Sequence, residues 1–195
     1  MSNTGLPDAR GVPVGMVKPL RAMLKNVPSL PAAETLRNMM SNANDTGFMY
    51  WIRHCDSYPD FSIGEIMSLS LSRHEESVAH DESIRTAYDA PFPAEEYKQG
   101  ARHFPSLVPL APDDPAVPAN KKAWKVLSTL QIPFLTCFTD KDPVTRGLER
   151  RFQEVVPGAQ GQKHLMIKNA GHFIQEEAPV EFANAIITFC RDNPI

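Results

Sequence analysis

The chain has 195 residues, of which 42% are hydrophobic and 22% are charged. These values are typical of a globular domain with a sizeable core, and they exclude a disordered or fibrous chain. The formal net charge of −3 gives no electrostatic basis for binding nucleic acid or an anionic membrane surface. We therefore expect a small uncharged ligand, no nucleic-acid partner and no membrane partner.

The cysteines and the amino terminus bear on the cellular compartment. Cys55, Cys137 and Cys190 are widely spaced and form no Cys-x-x-Cys motif. Such a set indicates reduced packing residues rather than a disulfide framework or a zinc site. The amino terminus lacks the basic start and apolar core of a signal peptide, and no apolar run reaches the length of a membrane span. The sequence therefore predicts a cytoplasmic location.

The first 118 residues are predicted to contain helices and almost no strand. Residues 1–9 have the character of the end of a core strand whose body would precede Met1, and residues 10–118 form a helical cap and linker. Apolar residues recur there at helical spacing between prolines. The predicted helices are 16–23, 32–40, 63–72 and 81–87. His74 and His80 lie on a polar stretch that we interpret as surface.

A proline-rich and aspartate-rich segment, 109–118, is predicted to be the linker that ends this region, because its prolines do not continue a helix. Asp113 and Asp114 lie in it side by side. They lack the flanking histidines or the spacing of a metal site, so we interpret them as solvated linker residues.

Residues 119–195 alternate between helix and strand. The predicted order is helix 120–130, strand 132–138, helix 146–155, strand 164–167 and helix 179–190. This alternation predicts an α/β fold with a parallel sheet covered by helices. Two strands do not make a stable parallel sheet, so we expect the sheet to be partial.

Two polar residues follow the two predicted strands. Asp142 follows the first strand and His172 follows the second. Because the carboxyl ends of parallel strands open on a common crevice, we expect the two side chains to lie close together. A histidine oriented by a carboxylate acts as a general base, which makes the two residues candidate catalytic groups. Asp140 is a competing acid, which strand alternation alone does not exclude.

No candidate nucleophile accompanies this pair. In α/β-hydrolases a nucleophile, an acid and a histidine follow one another along the chain, and the nucleophile lies on a Gly-x-Ser-x-Gly type of turn. The chain contains no such turn with serine, aspartate or cysteine at its centre. The sequence therefore predicts the acid and the base of a hydrolase without the group that attacks the substrate.

Several longer motifs resemble haloalkane dehalogenases, and the resemblance extends from end to end of the chain. The motifs are Asn-Thr-Gly-Leu-Pro at 3–7, Gly-Phe-Met-Tyr-Trp at 47–51, Ala-Tyr-Asp-Ala-Pro-Phe-Pro at 87–93, Tyr-Lys-Gln-Gly-Ala-Arg-His-Phe-Pro at 97–105 and Ala-Gly-His-Phe-Ile-Gln-Glu at 170–176. The resemblance is to the carboxyl-terminal part of that family, with a helical cap and the end of an α/β-hydrolase core. It implies that a nucleophilic aspartate belongs to sequence before Met1.

The resemblance implies a reaction and a set of site residues. A carbon–halogen bond is cleaved through an alkyl-enzyme ester, which water activated by His172 hydrolyses while Asp142 stabilises the histidine. Trp51 matches the position of an indole that binds the leaving halide, and Trp124 is interpreted as a packing residue. No metal or organic cofactor is implied; the partners are a small apolar halogenated substrate and water. The phenylalanines that are candidates for the apolar pocket are Phe48, Phe92, Phe104 and Phe173.

Two alternatives stay open at this point. Asp142 and His172 serve equally in an epoxide hydrolase or a carboxylesterase of the same fold, and the absent nucleophile would distinguish these enzymes. An epoxide hydrolase would use cap tyrosines as acids, and Tyr50, Tyr88 and Tyr97 are present. The other alternative is a noncatalytic truncated fragment that binds an apolar ligand or a partner through an uncovered sheet edge.

Overall fold

A computed structural model describes residues 1–41, 46–71 and 82–194, and its internal contacts divide the chain into two units. We name them the helical unit, with described residues 7–41, 46–70 and 82–120, and the sheet unit, with described residues 1–6, 71 and 121–194. The domain boundaries expected from the sequence, after residues 9 and 118, stay predictions. His74 and His80 lie outside the described residues.

The helical unit consists of short helices, and each of the four predicted helices is present with somewhat different ends. Residues 72 and 81, at two of the predicted ends, lie outside the described residues. Short 3-10 segments are found at Val14–Met16, Glu95–Lys98 and Phe104–Leu107. The α-helices are α1 Val17–Asn26, α2 Ala32–Ser41, α3 Gly47–Ser57, α4 Ile63–Ser70, α5 Glu82–Asp89 and α6 Gln99–His103.

Helix α3 was not expected from the sequence. Its first half is glycine and aromatic residues, which have modest helix propensity. Tertiary burial compensates, since Met49, Ile52 and Cys55 lie at helical spacing and are buried. The end of α3 is held by Arg102, whose guanidinium donates to the carbonyl oxygens of Cys55 and Tyr58, at 2.9 Å each. Arg102 thereby satisfies carbonyl groups that a helix end leaves unpaired.

Helix α4 begins against α5. The Asp89 carboxylate at the end of α5 accepts hydrogen bonds from the Gly64 N–H at 2.9 Å and from the Ser62 hydroxyl at 3.2 Å. These bonds cap the first turn of α4, where backbone N–H groups have no partner within the helix. The core of the helical unit lies beside this contact and contains Ala32, Cys55, Phe61 and Ile66, with Trp51 packed against it.

The segment predicted as a solvated linker is instead an ordered turn. Asp114 is half-buried, and its Oδ2 accepts hydrogen bonds from the backbone N–H groups of Leu110 and Ala111, at 2.6 Å each. Arg21 donates to Asp113 at 3.1 Å and to Asp114 at 2.6 Å. Burial opposes ionisation of Asp114, but these hydrogen bonds outweigh it and lower the pKa of the carboxyl. The acidic pair therefore stabilises a turn.

Helix α7, Val117–Leu127, begins three residues before the predicted start at residue 120. Pro118 lies in its first turn, where the missing N–H of proline is not needed. The sequence interpretation treated this proline as a stop.

The sheet unit contains a small parallel sheet, as predicted, and its strands are shorter than expected. Strand β1, Cys137–Thr139, pairs in parallel with β2, Leu165–Ile167. Helix α8, Glu149–Val155, connects them, and α9, Ile174–Glu177, and α10, Pro179–Asp192, follow β2. Ser2 forms an isolated parallel bridge with Cys137. The described residues are thus mostly helical.

The pairing of β1 explains its short extent. Residues 132–136 belong to the predicted strand, yet they make isolated contacts in place of a ladder. The Phe134 N–H donates to the Gly158 carbonyl at 2.9 Å, and the amino group of Met1 donates to the Leu135 carbonyl at 2.7 Å. A strand is defined by continuous pairing with its neighbours, which here extends over three residues.

Two hydrophobic clusters form the core of the sheet unit. One contains Cys137 and Ile167 from the strands with residues of α9 and α10. The other contains Trp124 of α7 and Phe152 of α8, whose rings are 4.6 Å apart. The prediction that Trp124 is a packing residue is confirmed, since it is 6% exposed. Helices thus bury apolar side chains around the strands, as a parallel sheet requires.

The three cysteines are free thiols in this structure. Cys55 and Cys137 are buried, and burial raises the pKa of the Cys55 thiol to about 12. Cys190 is exposed on α10, so its interpretation as a packing residue is wrong. A helix turns one side to the solvent, and the apolar character of a single residue does not show which side it occupies.

Across the described ranges, no helix combines the length and the apolar composition that crossing a membrane requires.

The contact between α4 and α5 leads to the first prediction. A Cβ atom at position 64 would lie 2.2 Å from the Arg85 carbonyl oxygen, so Gly64→Ala forces the two helices apart. We expect a loss of about 2 kcal/mol in the free energy of unfolding, measured by urea denaturation with circular dichroism. Gly100→Ala is the matched control, because nothing lies within 4 Å of its Cβ position. Equal midpoints for the two variants would contradict this account.

Candidate active site

Asp142 lies in the turn that follows β1 and is 1% exposed. Its Oδ1 accepts a hydrogen bond from the Val144 N–H at 2.8 Å, and its Oδ2 accepts one from the Thr145 hydroxyl. An aspartate that binds the backbone N–H two residues later forms a local turn that competes with a helix. This explains why α8 begins at Glu149 and not at residue 146, as predicted.

His172 lies in the loop between β2 and α9. The loop begins at Asn169, whose φ of 57° lies in the left-handed region that asparagine tolerates better than most residues. The Thr139 hydroxyl at the end of β1 donates to the Gly171 carbonyl at 2.7 Å. Below the loop, the buried Glu177 carboxylate accepts a hydrogen bond from the Gly171 N–H at 3.1 Å. The backbone before His172 is therefore held from both sides.

The structure brings Asp142 and His172 together. The Nδ1 atom of His172 lies 3.1 Å from each carboxylate oxygen of Asp142. Because the carboxylate accepts a hydrogen bond, the neutral imidazole keeps its proton on Nδ1 and presents a lone pair on Nε2. The His172 side chain is 29% exposed, so solvent reaches the ring while its partner is fully buried. The pair has the arrangement of a general base and its orienting carboxylate.

Asp140, the competing acid, has a different partner. Its Oδ1 accepts a hydrogen bond from the Asn169 N–H at 2.7 Å, and its Oδ2 lies 3.7 Å from the Lys168 ammonium. Asp140 therefore fixes the left-handed turn of the histidine loop. In the described chain, the carboxylate that contacts His172 is that of Asp142.

The electrostatics of Asp142 follow from these contacts. Burial disfavours the charged carboxylate, but the hydrogen bonds from His172, Thr145 and the Val144 N–H outweigh this effect and lower its pKa. The carboxylate is thus ionised at neutral pH although it is buried. A buried negative charge beside Nδ1 stabilises a positive charge on the imidazole, which is what a general base acquires when it takes a proton.

The remaining candidate residues lie in both units. Phe173 lies next to the pair. The centroid of its ring is 5.1 Å from the centroid of the His172 ring, and the two rings are nearly perpendicular. Phe48 and Trp51 lie on α3 of the helical unit and are half-buried. Phe92 of the same unit is also half-buried, whereas Phe104 is 71% exposed. Phe104 therefore lines no enclosed pocket within the described chain.

The two tryptophans differ in what their indole N–H groups bind. The Trp124 N–H donates to the Leu6 carbonyl at 2.7 Å, and Arg151 lies 3.7 Å above its ring. Trp51 is packed against the core of the helical unit, and its ring is stacked at 5.9 Å from His54. Within the described ranges the Trp51 N–H donates to no protein acceptor. Its donor capacity is therefore not used by the fold there.

The described ranges contain no group of three or more histidine, cysteine, aspartate or glutamate side chains arranged to hold a metal ion.

Sequence reasoning missed several residues that hold the site. Thr139, Thr145 and Glu177 each bind either Asp142 or the loop before His172. Thr145 follows Asp142 by three residues, a spacing typical of a local turn, so its contact with Asp142 could have been predicted from the sequence. Thr139 and Glu177 carry no sequence signal, because each binds a backbone group of Gly171. Backbone groups are the same in every loop, so residue type does not indicate these contacts.

Comparison with known proteins gives one consistent family name. The chain is 44% identical over 149 residues to a haloalkane dehalogenase of Psychrobacter cryohalolentis, which covers 76% of this chain and 47% of that protein. It is 49% identical over 107 residues to a haloalkane dehalogenase of Mycobacterium marinum, covering 55% of this chain and 36% of the relative. A third, from Mycolicibacterium paratuberculosis, is 41% identical over 142 residues, covering 73% and 45%. No family model matches the chain.

These comparisons confirm the resemblance to haloalkane dehalogenases that the motifs predict. The chain spans less than half the length of the curated relatives it matches, and it matches their carboxyl-terminal part.

The Asp142 contacts predict a pH-dependent stability. At pH 7, Asp142→Asn is expected to lower the free energy of unfolding by about 2 kcal/mol, because hydrogen bonds to a charged acceptor are lost. The folded-state pKa lies below the ordinary value of 3.8, so this contribution is complete above that pH and is lost as the pH falls through the folded-state pKa. Urea denaturation between pH 7 and pH 3 should show the two proteins converging.

Asp140→Asn is the control, since it removes an acid from the same turn that does not contact His172. It should cost about 1 kcal/mol or less, as expected for one hydrogen bond at a partly exposed group. A difference between wild type and Asp142→Asn that stays constant down to pH 3 would show that the Asp142 charge does not stabilise the fold.

Proposed function

We propose that this chain is the carboxyl-terminal part of a haloalkane dehalogenase with an α/β-hydrolase core, carrying the acid and the base of its active site. The observation that carries the proposal is the Asp142–His172 pair at the ends of two adjacent parallel strands. The identity of 41–49% to proteins named haloalkane dehalogenase supports the reaction class. Residues 10–118 then correspond to a helical cap and residues 119–195 to the end of the core.

The proposed reaction has two steps. In the first, an aspartate outside these 195 residues attacks the carbon that bears the halogen; a C–O bond forms, the carbon–halogen bond breaks, and the halide leaves with the electron pair. In the second, His172 takes a proton from water through Nε2, and the resulting hydroxide attacks the ester carbonyl. The bond between the carbonyl carbon and the alkyl oxygen then breaks, and His172 returns its proton to that oxygen to give the alcohol. The aspartic acid formed in this step releases its proton to water and becomes a carboxylate again.

Asp142 acts in the second step. As His172 takes the proton it becomes an imidazolium, and the buried carboxylate stabilises this charge through the Nδ1–H hydrogen bond. Its lowered pKa keeps the Asp142 carboxyl ionised at neutral pH, so it is available to accept the Nδ1–H hydrogen bond. Side chains and water suffice for both steps, so the mechanism needs no metal or organic cofactor.

The halide and the apolar part of the substrate are assigned to aromatic residues. Trp51 would donate its indole N–H to the leaving halide, since indole is a donor that never accepts a hydrogen bond. Phe48 of α3 and Phe173 beside His172 would contact the alkyl group. The net charge of −3 gives no electrostatic reason to expect a charged ligand. An apolar halogenated substrate is consistent with this. A cytoplasmic location fits the free thiols.

The first test of this function restores the nucleophile. The reading frame upstream of codon 1 is examined for a strand followed by Gly-x-Asp-Trp-Gly, and that segment, or the matching amino-terminal part of the Psychrobacter relative, is joined to residue 1. We expect the 195-residue chain alone to release no bromide from 1-bromobutane and the restored protein to release it. His172→Phe in the restored protein should stop after the first step and accumulate an alkyl-enzyme mass.

Each alternative outcome of this test has a definite meaning. Halide release by the isolated chain above the buffer rate would show that no external nucleophile is needed. A restored His172→Phe protein that releases bromide over many turnovers without a trapped alkyl-enzyme mass would remove His172 from the second step. A serine in the upstream turn, with ester hydrolysis and no halide release, would identify a carboxylesterase.

The halide role of Trp51 is tested separately in the restored protein. Trp51→Phe removes the donor and keeps an aromatic ring, so we expect bromide to inhibit the enzyme with an inhibition constant about tenfold higher, which corresponds to about 1.4 kcal/mol for one hydrogen bond to an anion. Trp124→Phe is the matched control, because its N–H is bound to the Leu6 carbonyl. It should lower stability and leave bromide inhibition unchanged; equal effects of the two variants would exclude a specific role for Trp51.

A further inference from the structure

Asn3 is the buried residue that joins the amino-terminal segment to the histidine loop. It is 9% exposed, and all its polar side-chain atoms are hydrogen-bonded. The Nδ2 atom lies 2.8 Å from the His172 carbonyl oxygen, 3.0 Å from the Gly171 carbonyl oxygen and 2.9 Å from the Thr139 hydroxyl. The Oδ1 atom accepts a hydrogen bond from the Thr139 N–H at 3.1 Å. One amide thus contacts the end of β1 and the backbone of the catalytic loop together.

The partners fix the orientation of the amide. Two carbonyl oxygens only accept hydrogen bonds, so they require the NH₂ group, and the Thr139 N–H only donates, so it requires the oxygen. Rotating the amide by half a turn would place the oxygen against two carbonyl groups. Asn3 therefore has one position in which every bond is made, and its contacts hold Gly171 and His172 at a defined distance from Thr139.

The backbone of Asn3 explains why asparagine suits this position. Its φ is 32°, in the left-handed region that glycine and asparagine tolerate and most other residues disfavour. Glycine would satisfy this backbone but would have no amide. Aspartate would keep the shape and the acceptor but would lack the donor for the two carbonyl groups.

We infer that Asn3 is a positioning residue for the general base: by binding the carbonyl groups of Gly171 and His172, it holds the imidazole so that Nδ1 faces Asp142. The role rests on the proposed function in that His172 is the base. It adds to the acid and the base a third residue, Asn3, whose side chain binds backbone groups of the histidine loop and not the imidazole ring. The path of the effect is the loop backbone, which Asn3 joins to the end of β1, the strand that also leads into Asp142.

The histidine loop has hydrogen-bond partners other than Asn3. Glu177 binds the Gly171 N–H and Thr139 binds the Gly171 carbonyl. Among the described side chains, the hydrogen-bond donor that reaches the His172 carbonyl is Asn3. The His172 carbonyl also accepts a hydrogen bond from the Ile174 N–H at 3.1 Å. Removing Asn3 should therefore leave the loop folded while the backbone of His172 loses its link to the end of β1.

The primary test uses the 195-residue chain and does not depend on dehalogenation. The tautomer of His172 is read from the ¹⁵N chemical shifts of its two ring nitrogens in histidine-labelled protein, with His172→Phe used for assignment. In wild type we expect the Nδ1–H tautomer, because the Asp142 carboxylate accepts that proton. In Asn3→Gly, which removes the amide without backbone strain, we expect a mixture of the two tautomers, and Asn3→Asp should have the same effect with the side-chain volume retained.

A matched control separates positioning from general stability. Asn193 of the sheet unit also makes several hydrogen bonds, to Gln162 and to the Phe189 carbonyl, and it is remote in sequence from the histidine loop. Asn193→Gly should lower the urea midpoint and leave the His172 tautomer unchanged. If both asparagine variants alter the tautomer equally, or if neither Asn3 variant alters it, Asn3 has no positioning role.

The restored enzyme provides a second readout. We expect Asn3→Gly to lower kcat for 1-bromobutane at least tenfold, to lower KM with it and to leave kcat/KM nearly unchanged, because hydrolysis of the ester is impaired and the steps up to ester formation are not. An unchanged kcat alongside an altered tautomer would overturn the catalytic importance of the position. If the restored wild-type protein releases no halide, the proposed function fails, while the tautomer measurement still decides whether Asn3 orients His172.

Discussion

The parallel pairing of β1 with β2 is the constraint on which the candidate site depends. Cys137, Phe138 and Thr139 pair in register with Leu165, Met166 and Ile167, so the two strands end side by side. Because parallel strands point the same way, the turns that follow them lie at one edge, and the residues that those turns carry come within hydrogen-bond distance. Three paired residues on each strand are enough to bring an acid and a histidine together although they are distant along the chain. The helices pack apolar side chains around this sheet and exclude water from the Asp142 side of the pair.

The site combines one fully buried charge with one partly exposed ring, and the surrounding polar groups make this arrangement stable. An isolated carboxylate in a protein interior would be protonated, but Asp142 has three donors and stays ionised. The loop before His172 is likewise bound by Thr139, Asn3 and Glu177. These groups hold the backbone before His172 while Asp142 binds its Nδ1 atom, an arrangement that suits the proposed role of His172 as a general base.

The motifs that resemble haloalkane dehalogenases in the helical unit have structural roles in this chain. Asp89 of the Tyr-Asp-Ala-Pro-Phe-Pro motif caps α4, and Arg102 of the Gly-Ala-Arg-His-Phe-Pro motif binds carbonyl groups at the end of α3, the helix that carries Phe48 and Trp51. In short helices a large share of the backbone groups lies at helix ends, so polar side chains that bind these groups stabilise the helical unit. Two of the motifs thus supply side chains that hold the start of α4 and the end of α3.

The sequence by itself determined most of the helical stretches, the alternation of strand and helix after residue 119, the histidine His172 with two candidate acids, Asp140 and Asp142, and the resemblance to haloalkane dehalogenases. These features depend on local periodicity and on motifs, which are readable along the chain. Only the tertiary structure decided that Asp142 and not Asp140 contacts His172, that α3 is a helix, that Pro118 lies inside α7, and that Asn3 binds the histidine loop. Three of these depend on contacts distant in sequence. Asp140 and Asp142 are two residues apart and bind different groups of the histidine loop, Asn3 reaches that loop from the amino terminus, and burial of α3 compensates for its modest helix propensity. Hydrogen bonds to backbone N–H and carbonyl groups leave no trace in residue type, which is why the contacts of Asn3, Thr139 and Glu177 were found only in the folded chain.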